Sequence, residues 1–596
     1  MKYKPVIIYG ILLLVFIIAT LPWTQMGVPG TDDFRHHATR LWIMQQEVQN
    51  FHFSEWSFTA YGGWPLFHFY HPMFYILTLP IAAMFNAIVA LKVSTVLIYA
   101  ICLFGTLFAS KKLFDDDDIA LIVSIAYFLS ATFLTQATVA GALPRLLAMA
   151  LTPCTIIIFI LSLREKKYTI PAILLLAILF MTHLSVAIPV FILCAIYLAY
   201  EIYIQKQILW KGIVILLIPI LLSSAWFIPL LMEKSYSNFG MATGDIGVPA
   251  ISSIFTRSFG KTSSHYFGYA TLILALLGLM FVKGANIYKV GLVASIALYY
   301  NIFGFLNFIP LMNTALTSSS GYFISVLIFN AVILATLCVS SFAQQYKKWL
   351  IYIALAIIII ELYPGLNAFS YGWVSQPTAN FYNPPELIDA WKWISYQPGE
   401  FVVFSAIGYS AEIYHGKQEF GGDWVGCPQC VSKVTYDTHN EIYQNFMKGY
   451  KDDAQLGLFG TKFYVVPCQS VLNNTLAYTN KAVCVYENEK FMPLIQSDPN
   501  VQIINENWKS DSIEFTTISD NQAGVVVKVN YFKPHWHAYV NGKEVVIEKV
   551  EPEFMGIVVP SGENKVLIIY KTNMLHIISW IITFLTLCGI VYFLKK

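Results

Sequence analysis

A chain of 596 residues would ordinarily divide into several soluble domains, but 57% of this one is hydrophobic, only 12% is charged, and the mean hydropathy is +0.59. Globular domains carry about 25% charged residues, so a soluble architecture is excluded for most of the chain. A formal charge of +2 without a basic face excludes a nucleic-acid partner.

The apolar residues come in runs near the roughly 20 residues that a helix needs to cross a bilayer. The first, Pro5 to Pro22 behind Lys2 and Lys4, lacks a small-residue cleavage site and reads as an uncleaved span. Further spans are predicted at 88–110, 119–139, 146–163, 168–183, 184–204, 209–232, 266–282, 290–310, 321–342, 349–363 and 574–594. Short cytoplasmic loops hold the Lys/Arg excess. Twelve crossings place Lys2 and Lys4, Lys111 and Lys112, Arg164 to Lys167, Lys206 and Lys211, Lys283 and Lys289, Lys347 and Lys348, and Lys595 and Lys596 all inside. Pro72 to Phe85 would be one crossing too many, so it is expected to lie in or dip into the outer interface.

The expected fold is therefore a polytopic α-helical membrane protein of the plasma membrane, with about 12 spans. Both termini are cytoplasmic, and an extracytoplasmic α/β plus all-β soluble domain precedes a final transmembrane helix. Residues 1–363 form the transmembrane domain with a first outer loop at 23–71, 364–500 an α/β domain, 501–572 a β-sandwich-like domain, and 573–596 the last helix.

The first outer loop carries the densest chemistry, in the run from Gly30 to Trp42. Thr31 reads as an N-cap, with Asp32 and Asp33 in the first helical turn. Asp32 or Asp33, His36 and Arg40 then share one face at three- and four-residue spacings. On an ordinary helix the aspartates would complement the helix dipole and the arginine would pair with them. Here five of the chain's twelve histidines, His36, His37, His52, His68 and His71, fall in this one loop. Four of the five arginines, Arg35, Arg40, Arg145 and Arg257, lie outside by the predicted topology. Arginine grips phosphate with a bidentate fork, which points to an anionic lipid headgroup. Pairing with acidic lipid or local carboxylates is the plainer alternative.

From Thr59 to Pro72, Gly62 and Gly63 permit a tight turn, while Tyr61, Trp64, Phe67, Phe69 and Tyr70 offer aromatic faces beside His68 and His71. Such rings either wall a sugar site or form an interfacial belt. The histidines are spread without a tight ligand motif, so no metal or other cofactor is expected, although a divalent ion is conceivable.

After a Pro/Gly/Asn-rich boundary from Tyr363 to Pro385, a helix is predicted at Glu386–Tyr396 and strands at Phe401–Ser405, Lys462–Val466 and Ala482–Tyr486. Val525, Val527, Val529 and Tyr531 alternate, and Asn541-Gly542 signals a type I′ hairpin. Four cysteines, Cys427, Cys430, Cys468 and Cys484, fall in this external region and read first as two disulfides. Cys468–Cys484 is the favoured long-range bridge. The Cys427–Cys430 spacing also fits a redox pair or half of a zinc site.

The Asp, His and Arg after the first span, and the segment from Gly62 to Pro72, resemble the GT-C superfamily of membrane glycosyltransferases. They are most similar to prokaryotic membrane proteins labelled "6-pyruvoyl-tetrahydropterin synthase-related". GALPRL (Gly141–Leu146) and MTHLS (Met181–Ser185) continue the likeness, and Val483–Ile495 and Tyr531–Val545 resemble YfhO-like membrane proteins. The resemblance implies a sugar donor on a polyprenyl phosphate, a cell-surface acceptor, and Asp32 or Asp33 as general base. It also implies Arg40 and Arg145 near the donor phosphate. Beyond the resemblance, His36 on the same helix face and Arg257 or Lys261 are further candidates for that phosphate, and Tyr61, Trp64, His68, Tyr70 and His71 are candidate substrate contacts. One departure stands out: where an arginine beside an aromatic is expected before a late span, this chain has Ser318 to Phe323. A transporter or flippase of lipid-linked glycan is the alternative, but only His183 and Glu361 bring ionisable chemistry near a span. A non-catalytic membrane scaffold with a surface-binding domain is the third reading.

Overall fold

The computed structural model describes residues 4–24, 29, 31, 33–50, 55–238, 247–256, 265–308, 319–346, 349–366, 384–407, 411–421, 430–533 and 535–595. Asp32, His52, Arg257 and Cys427 lie outside them. The first two-thirds is helical, the region from Pro385 onward is mixed and then all β, and the helix Met574–Lys595 closes the chain.

Twelve crossings are not what the chain builds. Among the described residues, five helices are long and apolar enough to cross a membrane: Ala87–Phe114, Leu143–Arg164, Leu184–Gln205, Ser320–Gln345 and Met574–Tyr592. Two bent pairs raise the count to seven: Asp117–Phe128 with Ala131–Ala140, turned by 45°, and Trp210–Leu222 with Ser224–Tyr236, turned by 71°. The remaining apolar runs make shorter helices, among them Tyr269–Phe281 and Asn286–Tyr299. At 1.5 Å per residue, such helices reach about 20 Å, short of a hydrocarbon core of about 30 Å. Hydropathy registers an apolar run but not the breaks within it, such as Pro219 and the kink at Ser223. Met73–Ala82 is likewise a ten-residue helix, far below spanning length.

Leu143–Arg164 and Ser320–Gln345 have 94% of their apolar windows buried and form the centre, whereas Met574–Tyr592 has 17% buried and lies at the margin. Glu361 takes a structural role. Its carboxylate accepts from the Tyr269 and Ala270 amides at 2.5 and 2.9 Å, capping the N-terminus of Tyr269–Phe281.

The α/β region has a five-stranded sheet in the order Gln418–Glu419, Val402–Ser405, Thr461–Pro467, Val483–Glu487, Thr475–Thr479, with the first three parallel. Val466 pairs with Cys484 across the antiparallel ladder, and the bond Cys468–Cys484 closes the end of that pair. Cys430 is also disulfide-bonded. Beyond it, two antiparallel sheets of five and four strands face each other. Ile513, Phe515, Val525, Val527, Ile557 and Ile568 lie in their shared core. Asn541 and Gly542, at φ +50° and +79°, turn the hairpin between Trp536–Val540 and Lys543–Val545.

This outer region docks on the first-loop segment. Asn530 Nδ2 donates to the carbonyls of Tyr61 and Gly63 at 2.8 and 2.6 Å, and the Glu419 amide donates to Thr59 O at 2.8 Å. Residues 55–71, 140–145, 233–238 and 265–268 therefore gather at the end of the helical bundle that carries the outer domains. Lys111, Arg164, Lys167 and Lys206 mark the opposite end.

Candidate active site

The helix Phe34–Gln49 enters under the outer domains with Asp33 as its N-cap residue. Asp33 is exposed, and its amide donates to Ala140 O at 2.7 Å, which fastens this helix start to the turn before Leu143–Arg164. Thr31, expected as the cap, is instead buried with its hydroxyl turned toward Gly141. Gly141 has φ +65°, and a Cβ there would lie 2.1 Å from Thr31 Oγ1 and 2.8 Å from the Phe34 amide. Only glycine allows the two backbones to approach this closely.

That approach brings Arg145 into electrostatic range of Asp33. The Arg145 guanidinium lies 4.8 Å from the centre of the Tyr322 ring. The segment where the resembled family would carry an arginine thus supplies an aromatic face for an arginine from another helix. Two turns along the first-loop helix, Arg40 is buried, 4.1 Å over the Tyr70 ring and 5.7 Å from that of Trp64. Trp64 holds its own plane by donating Nε1–H to Thr59 Oγ1 at 3.2 Å.

Histidines fill the space between. His37 Nδ1 is 2.7 Å from Tyr75 Oη, and His71 Nε2 accepts from the Leu184 amide at 2.8 Å while stacking on His183 at 5.0 Å. His265 Nδ1 contacts Tyr299 Oη at 2.5 Å. Arg145 Nε, His37 Nε2, His71 Nδ1 and His183 Nδ1 are buried and find no partner among the described residues. Buried polar atoms are nearly always bonded, so these four nitrogens remain available to a polar partner such as water or a ligand. Burial, reinforced by the arginine charges, holds His36 and His37 well below the usual histidine value and His71 at about 3; burial first and Arg145 second hold His265 at about 4. The imidazoles are therefore neutral, and among the described residues Arg40 and Arg145 supply positive charge here, with Arg35 beside His36. Burial lifts the Tyr70 hydroxyl to about 12 against the pull of Arg40, so it stays protonated.

Of the residues singled out from sequence, Asp33, Arg40, Trp64, Tyr70, His71 and Arg145 come together here. His36 sits at its edge, 3.4 Å from Arg35. Tyr61 packs against His439 at 5.2 Å in the docking seam, and His68 joins a different cluster. Tyr322, His265 and the role of His37 were not singled out. Tyr322 lies within the departing segment noted above, and that was its only signal. A separate cleft of about 270 Å³ opens beside the later turns of the same helix, lined by Trp42, Gln46, Glu412, Gln418, Trp508 and Ser510.

A family described as "6-pyruvoyl-tetrahydropterin synthase related domain; membrane protein" matches residues 67–369, just over half of the chain. The chain belongs to that family. Residues 469–583 match a second family, bacterial membrane protein YfhO. No curated protein matches the chain. Among solved structures, arabinofuranosyltransferase AftD from Mycobacteria superposes with TM-score 0.53 at 10% identity over 94% of this chain, which spans 57% of AftD's length. ArnT from Cupriavidus metallidurans superposes with TM-score 0.51 at 11% identity, covering 82% of this chain and 98% of its own. These likenesses show a GT-C fold.

Proposed function

We propose that the chain is a GT-C-type glycosyltransferase that moves a sugar from a polyprenyl-phosphate donor to a cell-surface glycan, lipid or protein outside the plasma membrane. The supporting observation is an exposed carboxylate, Asp33, beside Arg145, with Arg40 and a set of unsatisfied buried nitrogens behind it. AftD, a structural neighbour, is by name a glycosyltransferase.

In the proposed reaction the acceptor hydroxyl attacks the anomeric carbon of the donor. The new C–O bond forms as the bond from that carbon to the phosphate oxygen breaks. Positive charge builds on the sugar ring in an oxocarbenium-like state. The hydroxyl proton passes to the carboxylate of Asp33 or its neighbour Asp32, and the departing polyprenyl phosphate keeps the electron pair. Arg40 and Arg145 stabilise that phosphate with charge-assisted hydrogen bonds, and neutral His37 and His71 complete its contacts. Tyr70 and Tyr322 keep the guanidinium planes fixed before donor arrives. The lysines at the far end of the bundle support the outward orientation of this site.

The test incubates purified protein with polyprenyl-phosphate-linked hexoses and pentoses and follows release of free polyprenyl phosphate. Wild type should release it when acceptor is present. Asp33→Asn or Asp32→Asn should slow release by on the order of 10²–10⁴-fold with donor binding kept. Arg145→Ala should weaken donor binding, and Arg145→Lys should restore it only in part. Undiminished release from both aspartate variants would sink the carboxylate mechanism.

A further inference from the structure

Away from that site, four side chains from distant parts of the chain meet where the helical domain, the β region and the last helix adjoin. His68, Glu233, His535 and His576 are all buried, and one ligand atom from each lies within 4.8 Å of the others. Glu233 Oε2 is 2.8 Å from His535 Nε2 and 2.9 Å from His68 Nε2, and His576 Nε2 is 3.3 Å from His68 Nδ1.

The surrounding hydrogen bonds fix which nitrogens carry protons. The Lys571 carbonyl, an acceptor only, lies 2.9 Å from His535 Nδ1, so Nδ1–H donates. His535 Nε2 then faces the Glu233 carboxylate at 2.8 Å, within reach of a shared cation. Asn573 Nδ2 donates to Glu233 Oε1 at 2.5 Å and approaches His535 Nε2 only at 3.4 Å. Its Oδ1 therefore accepts from His576 Nδ1 at 2.9 Å, which leaves the Nε2 lone pair of His576 facing His68. A neutral His68 has one proton for two acceptors, and its Nε2 contact with Glu233 lacks hydrogen-bond alignment. Glu55, whose Oε2 is buried without a partner among the described residues, lies within electrostatic range of His535 and Glu233. Facing lone pairs in a buried space are costly unless a cation lies between them.

We propose that His68, Glu233, His535 and His576 form a tetrahedral site for a divalent cation of the zinc type. Three imidazole nitrogens and one carboxylate oxygen suit that ion. Zinc–nitrogen bonds of about 2.0–2.1 Å set ligands roughly 3.3 Å apart, so the two contacts of Glu233 at 2.8 and 2.9 Å open slightly while the wider pairs, which lie within 4.8 Å of one another, draw in around the ion. The bonds from His535 to Lys571 O and from His576 to Asn573 Oδ1 are the outer contacts that hold ligating imidazoles in one tautomer. Four protein ligands leave no open position, so the ion is structural. It ties the first-loop segment, the helix Ser224–Glu233, the β region and the final helix into one unit.

Full-length protein in detergent, stripped with EDTA and dialysed against zinc chloride, should hold one zinc per chain by elemental analysis and unfold at a higher temperature than the stripped form. Cobalt chloride in place of zinc should give the intense absorption of tetrahedral cobalt, a readout that needs no variant. His535→Ala and Glu233→Gln should lose the metal. Asn573→Ala, the gentler change, should bind it about 10–100-fold more weakly. His537→Ala, outside the cluster and paired with Glu544, should keep it. Wild type that stays metal-free, a weak octahedral cobalt spectrum, or full zinc retained in both His535→Ala and Glu233→Gln would overturn the site in favour of a protonated, metal-free cluster.

Discussion

Glu412 shows how single residues join the outer domains to the site helix. Thr39, one position before Arg40, donates its hydroxyl to Glu412 Oε1 at 2.6 Å, and both side chains are buried. Burial pushes the Glu412 carboxyl above its ordinary value of 4.5; the Thr39 bond opposes this, and nearby Glu419 adds to it. A carboxyl whose folded value is raised contributes stability that is complete below about 4.5 and is lost as pH climbs through the folded value. Thermal unfolding of the purified protein should therefore show the outer region weakening from about pH 4.5 upward. Glu412→Gln should flatten that slope, and an unchanged slope in the variant would remove Glu412 as its source. Nothing in the sequence paired Thr39 with a residue 373 positions away. The same limit explains the site itself. Asp33, Arg40 and Arg145 were legible because their residue types stand out in an apolar chain. His37, Tyr322 and His265 were not, because an aromatic or histidine in such a chain has many roles and only the fold selects one. The four residues of the proposed metal site come from four segments, so no spacing motif announces them.

At the scale of elements, the junction between the first-loop helix and Leu143–Arg164 decides where the carboxylate and the arginine meet. It depends on Gly141, whose positive φ and contact with Thr31 and the Phe34 amide leave no room for a side chain. Gly141→Ala should cost about 1–3 kcal/mol through strain and overpacking. It should also shift Asp33 relative to Arg145, so donor turnover should fall more than thermal stability does. Comparing turnover with the unfolding midpoint separates the two. A loss of stability with undiminished turnover would show that the junction does not set the site. The β elements were the most readable part of the sequence. Strands fell within two residues of expectation at Val402–Ser405, Thr461–Pro467 and Val483–Glu487, and the Asn541-Gly542 turn sits where its dipeptide signalled. Helical runs were legible as helices but not as crossings. An apolar run of adequate length still breaks wherever a proline or a packing demand interrupts it, as at Ser223 and between Phe128 and Ala131.

At the scale of the whole molecule, function depends on which side of the membrane carries the outer region. The structure gathers the site, the first-loop segment and the described residues of the outer region at one end of the bundle, and Lys111, Lys167 and Lys206 at the other. Positive charge retained in the cytoplasm would put the lysine end inside and the site outside, where an extracytoplasmic lipid-linked donor is presented. That orientation is tested with single reporter cysteines at two exposed positions, Asn500→Cys beside the outer domains and Lys206→Cys at the far end. In a background whose free cysteines are replaced by alanine or serine, an impermeant maleimide should label Asn500→Cys in intact cells and Lys206→Cys only after lysis. The reverse pattern would place the site in the cytoplasm. The arginines would then face soluble nucleotide sugars as well as lipid-linked ones, and the requirement for a polyprenyl carrier would lose its physical basis.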